Sequence, residues 1–113
     1  MKIINNIQEA IPLMIKSVVT NDLVLMNTLL DRFPKLIALQ NKRGHNLLML
    51  AAYYSHPNIL NYLISFHVIA NPSINPDEKD NDDFTAYDWA VWSGNEFARS
   101  LLSKVMGNRN DTE

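Results

Sequence analysis

The sequence predicts an all-α fold, a solenoid of stacked helix-turn-helix pairs with short protruding turns. Residues 11–32, 42–65 and 81–107 each carry two short apolar-periodic stretches on either side of a turn signal. The breaks at Asn21, Ser55 and Gly94 recur at intervals of roughly 34 and roughly 39 residues, the period at which helix pairs stack into arrays. No segment sustains the strict alternation of a β-strand, so the pairs have only one another to pack against.

The first segment breaks at Thr20-Asn21-Asp22, and its start admits two readings. Either Asn6 and Glu9 cap an early helix that contains Pro12, or Pro12 lies in the first turn. The middle segment breaks at Ser55-His56-Pro57, and Pro57 suits the first position of a second helix, where no amide hydrogen is required. The third segment is the most clearly punctuated. Thr85 with Asp88 three residues on forms a variant capping box, Gly94-Asn95 breaks and recaps, and Gly107 closes the last helix as a left-handed stop. The longer second interval places its extra residues in 66–83, whose Pro72, Pro76 and acidic run from Asp77 to Asp83 read as loop.

The middle segment resembles the ankyrin repeat. Gly44, Leu48, Ala51, Ala52, His56, Ile59 and Leu63 fall on that family's pattern in register, while Asn46, Leu47, Met49 and Ser55 depart from it. In the third segment Thr85, Ala90, Gly94, Leu101 and Leu102 match, Asp83 stands at the turn-glycine position, and Ala86, Tyr87 and Asp88 replace the Pro-Leu-His triplet. The first segment keeps the Leu29-Leu30 pair. The resemblance implies one domain over 1–113, with repeats near 7–40, 41–79 and 80–107 and a tail of 108–113. Small Ala51, Ala52 and Ala90 let neighbouring pairs approach, and Leu48, Ile59, Leu60, Leu63, Leu101 and Leu102 supply a core that no single repeat can bury.

Composition narrows the function. A chain of 113 residues with 47% hydrophobic content builds one packed core. The absence of cysteine removes disulfides, thiolate metal sites and cysteine nucleophiles together, and with no continuous apolar run the chain reads as cytoplasmic with no membrane partner. Residues 1–76 hold six Lys/Arg against three Asp/Glu, and residues 77–113 hold four against nine, so no basic stripe exists for nucleic acid.

Catalysis and metal binding find no constellation either. His45, His56 and His67 are too widely separated for the one-turn helical spacing of paired ligands. By the resemblance His56 bridges loop backbone, whereas His45, at a turn tip, is expected to be a contact or a solvated residue. Ser55 beside His56 is helix-start capping, with no third group to orient the imidazole. The acidic run lacks the glycine and distal glutamate of a calcium loop and reads as a solvated finger. No cofactor is expected, and the chain is expected not to be an enzyme.

The resemblance places Lys42, Arg43, His45, Tyr53, Tyr54, Asn81, Asp82, Phe84, Trp92 and Ser93 on one concave face. Such a grouping of aromatics is an interface signature, against the alternative that Trp92 and one tyrosine merely fill gaps between repeats. The expectation is a monomeric protein-binding module for another protein, a basic one given the acidic finger. Ankyrin chains of this size resemble inhibitors, adaptors or immunity proteins that neutralise a toxin. Self-association as a structural or adaptor protein is the alternative reading.

Overall fold

A computed structural model describes residues 6–54 and 56–105. Among them six α-helices form three antiparallel pairs and no strand occurs. The pairs are α1 (Ile7–Val19) with α2 (Leu23–Arg32), α3 (Leu47–Tyr54) with α4 (Pro57–Ile64), and α5 (Ala86–Ser93) with α6 (Glu96–Ser103). A 3₁₀ turn, Pro34–Ala38, follows α2. The expected positions of Ser55, Gly107 and the tail lie outside the described residues.

Local chemistry explains each boundary. Asn6 caps α1 by accepting from the Glu9 amide at 3.0 Å, so the earlier start holds and Pro12 lies inside the helix. The hydrogen bond that Pro12 forgoes would have ended on the Gln8 carbonyl, and both residues are on the exposed face where the loss is smallest. Asn21 turns the chain with φ +60°, and Asp22 caps α2 through Leu25 N at 3.0 Å. Asn46 starts α3 by accepting from Met49 N at 2.9 Å. Pro57 opens α4, and Thr85 and Asp88 close a reciprocal capping box at 3.2 and 3.0 Å. Gly94 ends α5 in the left-handed region and Asn95 caps α6 through Ala98 N at 3.1 Å.

The segment expected to be loop from residue 66 onward begins differently. Helix α4 runs on as a π-helical stretch, Ser65–Ala70, before the chain becomes irregular. Its apolar residues explain the extension: Phe66, Val68 and Ile69 prolong the helical pattern, and nothing breaks it before Asn71-Pro72. At its end the His67 carbonyl accepts from both Ser73 N and Ile74 N, at 2.8 and 2.9 Å, and turns the loop back.

The core is continuous through all three pairs. Met14, Leu48, Leu60, Leu63 and Leu102 are fully buried, and Ala51, Ala52, Ala90 and Ala98 are buried at the helix contacts. Packing is most extensive where α3 meets α5. Each large apolar side chain buried there contributes about 1.5–3 kcal/mol, while the alanines set how closely the helices approach.

Polar staples join the pairs. His56 stands at the N-cap position of α4, and its Nε2 donates to the Val19 carbonyl at 2.6 Å, tying the second pair to the first. Asn95 has the same role in the next pair, its Nδ2 donating to the Ala52 carbonyl at 3.1 Å. Both residues occupy the N-cap position of an outer helix and reach back to a carbonyl near the end of the preceding inner helix, with Asn95 alone also capping its helix through the side chain.

Candidate partner-binding surface

Two protruding turns have one design. In the first, Asn41 Oδ1 accepts from Arg43 N and His45 N at 2.9 and 3.0 Å. In the second, at the equivalent place in the next repeat, Asp80 Oδ1 accepts from Asp82 N and Phe84 N at 2.9 and 3.0 Å. Each turn then passes through a left-handed residue, Gly44 at φ +81° and Asp83 at φ +68°. Glycine is required at the first because a Cβ there would lie 2.7 Å from Asn81 Oδ1, whereas aspartate tolerates the same backbone region at the second.

The turns also hold each other. Asn81 donates from its amide to the Arg43 carbonyl and from Nδ2 to the Lys42 carbonyl, both at 3.0 Å. Above these bonds the exposed side chains of Arg43 and Asp82 stand 3.8 Å apart, an ion pair that solvent screens to little net stability. Thus Lys42, Arg43, Asn81 and Asp82 share one rim, and some of Asn81's bonding capacity is committed to it.

Asp80 is the surprise in the acidic run. Expected as a member of a solvated finger, it is buried, and its Oδ2 accepts from Trp89 Nε1 at 2.9 Å. Burial by itself pushes its carboxyl up, but the Phe84 amide, the Trp89 indole, the Asp82 amide and the His45 charge together outweigh this and hold it below the usual carboxylate value. Glu78 is also not free in solvent, since it accepts from Asn46 Nδ2 and Gln40 Nε2, each at 3.0 Å. Spacing alone shows a run of charge; only packing shows which carboxylates turn inward.

His45 is likewise not a solvated tip residue, for its side chain is 13% exposed. The two amides occupying Asn41 Oδ1 leave Nδ2 as the end facing His45 Nδ1 at 3.2 Å. That contact makes Nδ1 an acceptor and assigns the neutral ring's proton to Nε2. Nε2 lies 3.3 Å from Asp80 Oδ2, close enough for electrostatic attraction but not aligned as a hydrogen bond. His45 meets Trp89 edge to face at 5.2 Å.

Trp89, absent from the sequence-derived site, is the hub of that site. It is half-buried and contacts His45, Tyr53 (5.5 Å), Phe84 (5.8 Å) and Trp92 (5.4 Å), while Tyr53 meets Tyr54 at 5.0 Å and Phe84 meets Trp92 at 5.0 Å. Most are edge-to-face contacts, the arrangement aromatic quadrupoles favour. Trp92 remains 65% exposed, with Tyr53 at 46% and Tyr54 at 42%. So the gap-filling role considered for Trp92 and a tyrosine belongs to Trp89. A sequence signal existed: Trp89 occupies the place that Leu50 holds in the preceding repeat, on the helix edge that faces the neighbouring pair.

The sequence-predicted residues therefore divide. Tyr53, Tyr54, Phe84 and Trp92 form one aromatic patch beside the rim of Lys42, Arg43, Asn81 and Asp82. Phe84 is half-buried and belongs partly to the packing. Ser93 points inward, its hydroxyl 3.3 Å from the Ala52 carbonyl and 3.2 Å from the Ala90 carbonyl, and so joins pairs rather than facing outward. Between α3 and the first turn lies a hollow of about 230 Å³ lined by Arg43, His45, Met49, Leu50, Tyr53, Tyr54 and Trp89. Beyond α5 a more open groove of about 680 Å³ is lined by Asp83, Phe84, Tyr87, Asp88, Val91 and Trp92.

Among the described residues no group of three or more His, Asp or Glu could hold a metal ion, and no helix is long and apolar enough to cross a membrane. A family model of ankyrin repeats in three copies matches residues 11–112. No curated protein matches the chain.

Proposed function

We propose that this chain, which belongs to the ankyrin-repeat family and is a protein-interaction module of helical repeats, binds one partner protein through the patch of Tyr53, Tyr54, Phe84 and Trp92 and inhibits it, in the manner of an immunity or other neutralising protein. The observation that carries the reading is the aromatic patch itself. Trp92 is 65% exposed, and it is held by Phe84 and Trp89 rather than free to fold away. Aromatics immobilised before binding lose little entropy on contact and commonly dominate interface energetics. The adjacent rim adds Lys42, Arg43, Asn81 and Asp82 as polar surroundings of the kind that orient a partner. The chain acts as a monomer, and its lack of cysteine accords with work in the cytoplasm.

The test begins with capture from a lysate of the source cells by the wild-type chain and by Trp92→Ala, each checked by circular dichroism. The captured protein is then purified, and its affinity for both chains and its own activity with and without the wild-type chain are measured. We expect a stoichiometric complex, a loss of about 1–3 kcal/mol with Trp92→Ala, and suppression of the partner's activity. Equal affinity for the variant would refute the patch, and an unaffected partner activity would refute inhibition.

A further inference from the structure

The open face of the third helix pair differs from the faces that neighbouring pairs cover. Val18 and Ala52 occupy equivalent places in α1 and α3, and both are fully buried; at the same place in α5 stands Val91, 52% exposed. Leu48, fully buried, is matched by the half-buried Tyr87. This is the side of the stack that no described residue covers. On this face, uncovered among the described residues, Phe84, Tyr87, Val91 and Trp92 line a groove of about 680 Å³.

Two carboxylates interrupt that apolar lining. Asp83 stands where the preceding repeat has Gly44, and Asp88 where it has Met49, which is only 1% exposed. A further helix pair stacked in the same way would bury Asp88 in the place of a core methionine, which is costly unless the arriving surface brings a positive charge. Asp88 Oδ2 accepts from the Thr85 amide, but a carboxylate has capacity for several donors. Among the described residues no Lys or Arg lines the groove itself; Arg43 is paired with Asp82, and Arg99, tied to Glu96 at 2.6 Å, reaches only the Tyr87 side chain at the groove's edge. An exposed indole sharing a groove with two carboxylates suits a planar cation, whose face stacks on the ring while its N–H groups reach the oxygens.

We infer that this groove seats an arginine side chain from a basic segment of the partner, with the guanidinium on Trp92 and Phe84 and its N–H groups directed to Asp83 and Asp88. The inference rests on the partner-binding reading and supplies the chemistry of the partner's anchor. The aliphatic stem lies along Val91, which gives the apolar lining its use.

The probe is a six-residue arginine peptide, titrated into the ¹⁵N-labelled chain while the indole N–H resonances of Trp89 and Trp92 are followed. Trp92 is expected to shift saturably, while Trp89, bonded to buried Asp80, barely moves. Replacing arginine by neutral citrulline, or the protein by Asp83→Asn/Asp88→Asn, is expected to weaken the response by about tenfold or more. Should the double variant fail to fold, Trp92→Ala with the Val91 methyl resonance as reporter serves instead. An equal response to citrulline, no saturation at millimolar peptide, or shifts that depend on protein concentration without peptide would overturn the inference, the last by showing a second copy on the face. Because the titration needs no natural partner, a silent groove beside successful lysate capture would sink only the arginine assignment.

Discussion

Asp80→Asn tests the polar support beneath the aromatic patch. Asp80 accepts on both sides at once, from two turn amides at Oδ1 and from the Trp89 indole at Oδ2. An amide cannot do so: if its oxygen keeps the turn, its NH₂ group faces the Trp89 N–H and the His45 Nε2 proton, donor against donor. Asn41 performs the same turn role without conflict because its NH₂ meets an acceptor, His45 Nδ1. The substitution therefore leaves a half-buried indole donor unpaired and removes charge-assisted bonds, at a cost of about 2–3 kcal/mol. With roughly 4 °C per kcal/mol for a chain of this length, the melting temperature should fall by about 8–12 °C. The assay is urea and thermal unfolding followed by circular dichroism at neutral pH and again below pH 4. Because the folded carboxyl titrates below its unfolded value, its contribution is fully present above about pH 4 and is lost as pH falls through the lowered folded value. The gap between wild type and variant should thus shrink in acid. A neutral-pH cost under about 0.5 kcal/mol, or a gap that widens in acid, would refute the account.

Three further outcomes follow from the stacking geometry. Gly44→Ala should cost about 2–3 kcal/mol and Gly94→Ala only about 1 kcal/mol, because both have positive φ but only Gly44 has a neighbour, Asn81, in the way; equal losses in denaturant titrations would dismiss the steric component. His56→Ala should lose about 1–2 kcal/mol and speed hydrogen exchange at the junction of the first two pairs, since the Val19 carbonyl loses its donor. Ala51→Leu, at a fully buried position, should destabilise by about 1–3 kcal/mol through overpacking, and an unchanged melting temperature would mean the inner helices have slack.

The fold was legible because repeats announce themselves twice. The Thr85–Asp88 box, Pro57 at the start of α4 and the Gly94-Asn95 break are local chemistry, so spacing and residue type suffice to place them, while the His56 bridge, to a carbonyl 37 residues away, was expected only from the family resemblance. The left-handed Asp83 at a turn-glycine position was likewise readable from its register with Gly44. The π-helical end of α4 was hidden behind the later prolines, whose breaking effect takes hold only from Asn71 onward.

The aromatic residues and the acidic run show the division most clearly. By itself the sequence determined the helix pairs, their period, their caps and the set of aromatics near the ends of the inner helices, because those depend on neighbours a few residues away. Only the tertiary structure decided which member of each set turns inward. Trp89 and Trp92 lie within one turn of the same helix, yet Trp89 is wedged against His45 and Tyr53 of the preceding repeat while Trp92 looks outward. Asp80 and Asp82 share one protruding turn, yet Asp80 is buried on three hydrogen bonds and Asp82 stands exposed beside Arg43. For Trp89 the inward turn is fixed by what the adjacent repeat offers across the contact, a whole repeat away in the chain, whereas Asp80 turns inward on bonds made inside its own repeat once α5 has brought the Trp89 indole over the turn, with only His45 approaching it from the preceding one.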